Sequence, residues 1–213
     1  MTTLTLPHLK QKRYGSFLLT DAIRPGQDVP VIPSQGYRIS RHRDFHTGKV
    51  MPVLGAAVSA EIIFDVFIEL LEPLGQEVHV ILETSHGLHS AEHEDLRRSH
   101  IDMSVLISHL YDFEDLLLND GCTGVAVLSR NLRMEVQFDE HKLFFIYARD
   151  LTPFRRILRR HSVLRNNNLR LIAEAEHLHH SQLRHAEEFQ VLANRLSAGD
   201  YSDHFTANDD PVW

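Results

Sequence analysis

Two stretches of the chain concentrate side chains that bind metals or move protons. Residues 174–188 read EAEHLHHSQLRHAEE and bring His177, His179, His180 and His185 next to Glu174 and Glu176. Residues 85–100 read SHGLHSAEHEDLRRSH and hold His86, His89, His93 and His100. Imidazole with carboxylate is ligand chemistry for zinc, iron or manganese. Zinc takes three or four such donors at about 2.0–2.1 Å. Neither stretch carries H-E-x-x-H, the spacing that sets two imidazoles and a base on one helical face.

The local geometry restricts what residues 174–180 can do. On a strand, His177 and His179 point one way while Glu174, Glu176 and Leu178 point the other. On a helix, Glu176 and His180 share a face. In neither case do all the donors converge, so another segment must complete a site. The candidate metal set is therefore His177, His179, His180 and Glu176, with His86, His89 and His93 as the completing segment. The sequence leaves the cofactor open; a completed set of this kind would take a divalent transition metal. The plainer alternative is a solvated loop and a helix start that are rich in surface histidine. The pair His42 and His46, four apart, reads as surface.

A second chemistry is electrostatic. TPFRRILRRHSVLRNNNLR holds Arg155, Arg156, Arg159, Arg160, Arg165 and Arg170 with no acid between them. On a helix, Arg155 with Arg159 and Arg156 with Arg160 form two like-charged columns, each pair costing a few tenths of a kcal/mol. Arg155, Arg156, Arg159 and Arg160 are thus candidates for binding a partner or an anionic ligand. Carboxylates on the edges Glu61/Asp65/Glu69 or Asp112/Glu114/Asp115 are the first expectation, and a phosphate group is the sharper alternative.

Other site types are excluded or unsupported. There is no P-loop, no GxGxxG and no G-x-S-x-G. The one cysteine, Cys122, forms no internal disulfide and completes no cysteine-based zinc site. It follows a turn glycine, and the sequence names no base for it.

The elements that must position these groups are legible from Ala57 onward. AVSAEIIFDVFIELLE has a helical apolar pattern with one acidic edge, ended by Pro73 and Gly75. EVHVILETS reads as a central strand. The polar stretch around residues 86–100 reads as a connector. A helix is expected over about 101–118, stopped at Asn119-Asp120-Gly121. TGVAVLSRNLRMEVQFDEHKLFFIYA divides at two turns into three antiparallel strands. Thr152-Pro153 opens a helix. LRLIAEAE alternates like a last strand, and Ser181 is placed to cap a final helix ending at Gly199. Residues 14–50 are punctuated by proline and glycine, with short strands at SFLLTDAI and GYRIS.

The fold class is therefore α+β: an antiparallel or mixed sheet of about five to six strands with helices mainly on one face. Residues 1–199 read as one domain whose first 55 residues are loop-rich, and 200–213 as a polar, flexible tail. The 213 residues, 43% of them hydrophobic, suffice for a sizeable core. The formal net charge of −7 argues against nucleic acid as a general partner. No apolar run is long enough to cross a membrane as a helix, and a cytoplasmic location is expected. Sixteen histidines are the compositional oddity. The first functional expectation is a non-catalytic module that binds another protein or itself, as a homodimer. The alternatives are a metal-dependent or acid–base enzyme on the histidine segments and a binder of phosphorylated ligand or nucleic acid through residues 155–170.

Overall fold

A computed structural model describes residues 7–43, 48, 50–87 and 94–199. In chain order its elements are α1 (Pro7–Lys10), β1 (Arg13–Tyr14), β2 (Phe17–Leu18), β3 (Ile23–Pro25), β4 (Gly36–Arg43), β5 (Val50–Ala57), α2 (Ile63–Leu71), β6 (Glu77–Thr84) and β7 (Glu94–Asp102). There follow α3 (Met103–Asp112), α4 (Glu114–Asn119), β8 (Thr123–Ser129), β9 (Met134–Phe138), β10 (Leu143–Ala148), α5 (Thr152–Arg160), β11 (His177–His179) and α6 (Leu183–Leu196).

The fold is α+β. Seven strands form one antiparallel sheet in the order β4-β5-β10-β9-β8-β6-β7. Two short pairs, β1-β2 and β3-β11, lie outside it. The expected meander is β8, β9 and β10, and β6 is central, hydrogen-bonded on both sides. Strand alternation buries Val78, Val80, Leu82 and Thr84 along β6. That face, with Val136, Phe138, Phe144 and Ile146, packs against the apolar sides of α2, α3, α4, α5 and α6. At its centre Phe67 of α2 sits 5.0 Å from the Phe138 ring and 6.0 Å from the Phe144 ring. Offset and tilted aromatic contacts of this kind add to the free energy of burial.

A smaller apolar cluster forms separately from Phe17, Leu19, Ile23, Leu143, Leu169, Leu171 and Ile172. It fastens the N-terminal segment and residues 169–175 to the strand ends at Ala57 and Leu143. Arg38 grips this layer from β4 through a two-pronged contact with the Glu174 carboxylate.

Several local elements differ from the sequence expectation. Residues 94–102, read as the end of a connector and the first two residues of a helix, are the edge strand β7. Among the nine residues of β7 only Leu96 and Ile101 are buried, and its register shifts opposite Val78 and Val80. An edge strand paired on one side and bulged leaves little alternation to read. The helix expected over 101–118 breaks at Phe113, whose backbone leaves helical geometry. Residues 172–174 form a single 3-10 turn, and the strand falls later, at His177–His179. Ser181 does not cap α6; Gln182 precedes its first turn, and the Ser181 hydroxyl faces His86 instead. Thr152 is the first residue of α5 after Leu151 at the N-cap, and the Asp150 carboxylate accepts the Thr152 N–H at 2.9 Å. The proposed tail, from Asp200 onward, lies outside the described residues.

Candidate functional site: three converging histidines

The sheet register gathers the site. Thr84 pairs with Thr123, Val125 with Phe138, and Phe138 with Phe144. The segments that follow β6, precede β8 and join β9 to β10 therefore lie side by side at one end of the sheet. They carry His86, Asp120 with Cys122, and Asp139 with His141.

His141 stands in the β9–β10 turn. One Asp139 carboxylate oxygen accepts the Leu143 N–H at 2.8 Å and closes that turn. The other lies 2.8 Å from His141 Nδ1. One acid thus shapes the loop and aims the ring.

His177 and His179 arrive on β11, which pairs with β3 through His177–Pro25 and His179–Ile23. Two residues apart on a strand, they share a face. Their segment is held close by backbone bonds. The Gly121 N–H donates to the His180 carbonyl at 2.8 Å, the His180 N–H to Ala22 at 2.8 Å, and the Gly26 N–H to Glu176 at 2.7 Å. A Cβ at Gly121 would lie 2.4 Å from the Ala22 carbonyl oxygen, which no side chain tolerates.

The three rings meet. His177 Nε2 is 3.1 Å from both His141 Nε2 and His179 Nε2. Ring centroids are 4.8, 4.8 and 5.0 Å apart, nearly an equilateral triangle. Each Nδ1 faces an oxygen that only accepts: the Asp139 carboxylate, the Ala175 carbonyl and the Gly121 carbonyl. Each Nδ1 must therefore carry the hydrogen. In the neutral ring that leaves Nε2 without a hydrogen, so three neutral rings face one another through lone pairs, whereas a protonated ring donates Nε2–H to its neighbour. Three imidazole nitrogens gathered within 4.8 Å of one another, each ring with an oxygen on its other nitrogen, match the ligand-and-outer-partner pattern of histidine metal sites. His141 is mostly enclosed, whereas His179 is exposed, so solvent reaches the centre.

Burial works against charging His141, but the Asp139 carboxylate outweighs it and raises the imidazole pKa. At His179, burial and the two neighbouring imidazoles prevail over the Gly121 carbonyl and Glu140, and the pKa is lowered.

A second group lies one residue away along the chain. Asp120 is fully buried; its Oδ2 is 3.0 Å from His86 Nε2 and accepts the Thr123 hydroxyl at 2.5 Å. His185, also fully buried, places Nδ1 3.4 Å from Asp120 Oδ1. Burial alone would raise the Asp120 pKa; hydrogen bonds from His86, Ser181 and Thr123 overcome it and hold the carboxyl well below the usual range. Beneath both groups the buried Lys142 ammonium donates to the Thr123 carbonyl at 2.7 Å, and burial brings its pKa down to about 8. Cys122 completes this group, its thiol pushed up in pKa by burial.

The structure thus distributes the sequence candidates. His177 and His179 join, and His141 completes them. His180 follows on the exposed side, engaged through its backbone. Glu176 is exposed and lies over Gly26. His86 belongs to the Asp120 group instead. His89 and His93 lie outside the described residues, as does His46; His42 is exposed. His141 was missed because it stands in a hairpin turn 36 residues from His177. The available signal was D-E-H-K at a turn, where an acid two residues before a histidine can orient it.

Of the arginines, Arg160 pairs with Glu69 at 2.6 Å, with His161 on the same carboxylate at 2.9 Å. The acidic helix edges are likewise used within the chain, Asp112 by Arg195 and Asp115 by Arg184. Among the described residues no helix is long and apolar enough to cross a membrane. Comparison of the chain with protein-family models, curated proteins and solved structures gave no match.

Proposed function

We propose that this chain is a divalent-metal protein with His141, His177 and His179 as ligands, zinc as the occupant, and water-activating chemistry as its activity. The observation that carries the proposal is the gathering of three Nε2 atoms while each Nδ1 faces an acceptor oxygen, which in neutral rings leaves Nε2 free to bind a cation. Three neutral imidazoles suit zinc. Three protein ligands with a remaining open position are the pattern of catalytic zinc; structural sites close the fourth position with protein. The exposure of His179 supports access to that position. A bound ion would supply Lewis acidity and an acidified water. The chain would supply ring orientation through Asp139 and the two carbonyls, and a nearby carboxylate, Glu140, whose charge reaches His141 and His179.

His141 also walls an apolar crevice with Phe17, Ile23, Leu143 and Ile172. Its free space is about 20 Å³, room for a single water. A substrate would therefore approach the centre from the solvent side.

Metal analysis of untagged protein tests the binding half. About one equivalent of zinc is expected, lost in His141→Ala and in His177→Ala. Less than about 0.1 equivalent after zinc loading and desalting would sink it. Hydrolysis of an activated ester tests the catalytic half. Zinc-loaded protein no faster than free zinc would leave a metal centre without that activity.

A further inference from the structure

We propose that the groove between Tyr37 and α5 binds a small phosphorylated molecule, independently of the histidine centre. Arg155, Arg156, Arg159 and Arg165 line it together with Tyr37 and Leu164, and no lining residue is acidic. Its volume is about 390 Å³, the size of a small-ligand site.

Four guanidinium groups on one groove repel one another, whereas several arginines elsewhere are matched by carboxylates. Arg13 pairs with Glu61, Arg160 with Glu69, Arg184 with Asp115 and Arg195 with Asp112. In the groove, Arg155 Nε donates to the Tyr37 hydroxyl at 3.4 Å and Arg165 Nε to Asn167 Oδ1 at 2.9 Å. The side chains of Arg156 and Arg159 have no hydrogen-bond or ion-pair partner among the described residues. The neighbouring Asp150 carboxylate accepts the Thr152 N–H at the start of α5 and, still charged, offsets part of the charge of Arg155 and Arg156. Hydrogen bonds from Thr152, with Arg156 and Arg155 adding to them, hold its pKa below the ordinary value. A local cationic cleft thus stands only partly compensated on a chain of net charge −7.

Guanidinium forks match phosphate oxygens in geometry as well as charge. Leu164 is 61% exposed at the groove wall, and with the Tyr37 ring it offers apolar surface to the rest of an organic phosphate. The acidic surface elsewhere opposes a long polyanion, so a compact ligand fits better than a polynucleotide.

Isothermal titration of the full chain with inorganic pyrophosphate and with orthophosphate tests the site. One saturable site is expected at low ionic strength, weakened by about 1 M salt. Arg156→Glu with Arg159→Glu should weaken binding more than about tenfold. Arg156→Lys with Arg159→Lys keeps the charge, loses the fork, and should fall between; it also serves if the glutamate pair misfolds. His177→Ala should bind pyrophosphate like wild type. Three outcomes overturn the proposal: no binding by wild type, equal binding by all arginine variants, or loss of binding in His177→Ala. Affinity that climbs with oligonucleotide length above that for pyrophosphate would also overturn it, in favour of nucleic acid.

Discussion

His177 Nε2 lies 3.1 Å from His179 Nε2, and both rings have already spent their Nδ1 hydrogen on a backbone carbonyl. Two neutral rings so fixed oppose lone pair to lone pair. His141, turned by Asp139, adds a third. A cation between them converts this repulsion into coordination. Zinc should therefore raise the melting temperature, and a chelator should lower it. At a free zinc concentration of a hundred times Kd the gain is about 2.7 kcal/mol. Differential scanning calorimetry checks this, and His141→Ala should abolish the shift.

Asp139 touches no ion in this account; it positions His141 and closes the β9–β10 turn. Asp139→Ala should weaken zinc binding by about 10–100-fold while all three ligands remain. A competition titration with a chromophoric chelator reads the change. Unaltered affinity would mean that the ring is held by something else.

Gly121 permits the close approach of the segment that carries His179. With a Cβ only 2.4 Å from the Ala22 oxygen and 2.9 Å from the His180 nitrogen, both backbone atoms, Gly121→Ala must push that segment outward. Overpacking costs roughly 1–3 kcal/mol. Urea denaturation should show a loss of this order, and zinc affinity should fall although no ligand has changed.

Glu135 gives stability a pH dependence separate from the histidines. Burial, with Glu83 adding to it and Gln137 and Arg97 opposing, raises its pKa from 4.5 to about 7. The folded chain then holds a proton that the unfolded chain releases at lower pH. Its contribution is fully present below about pH 4.5, declines as pH rises, and is gone above about pH 7. The drop is roughly 3 kcal/mol. Glu135→Gln should flatten this part of a denaturation series between pH 4 and 8; an unchanged slope would contradict it.

The parts of the fold carried by strong periodicity were legible from the chain: the β8–β10 meander, β6 and the apolar sides of α2 and α6. The bulged edge strand β7 and the three-residue β11 were not, because neither has the length or alternation that a pattern requires. For the candidate site, the strand reading of residues 174–180, one of two left open, put His177 and His179 on one side and set Glu176 apart from them. It carried no information on His141, which reaches them through sheet register and a turn. His86 answers instead to Asp120, a buried acid at a helix end that looked like an ordinary stop signal. Arg160 left the arginine group for the same kind of reason: Glu69, 91 residues earlier, packs beside it.

The most direct measurement is anomalous diffraction at the zinc edge from crystals of untagged, zinc-loaded protein. One strong peak is expected within about 2.0–2.1 Å of Nε2 of His141, His177 and His179. No peak there, or a peak only among His86, Asp120 and Cys122, would contradict it.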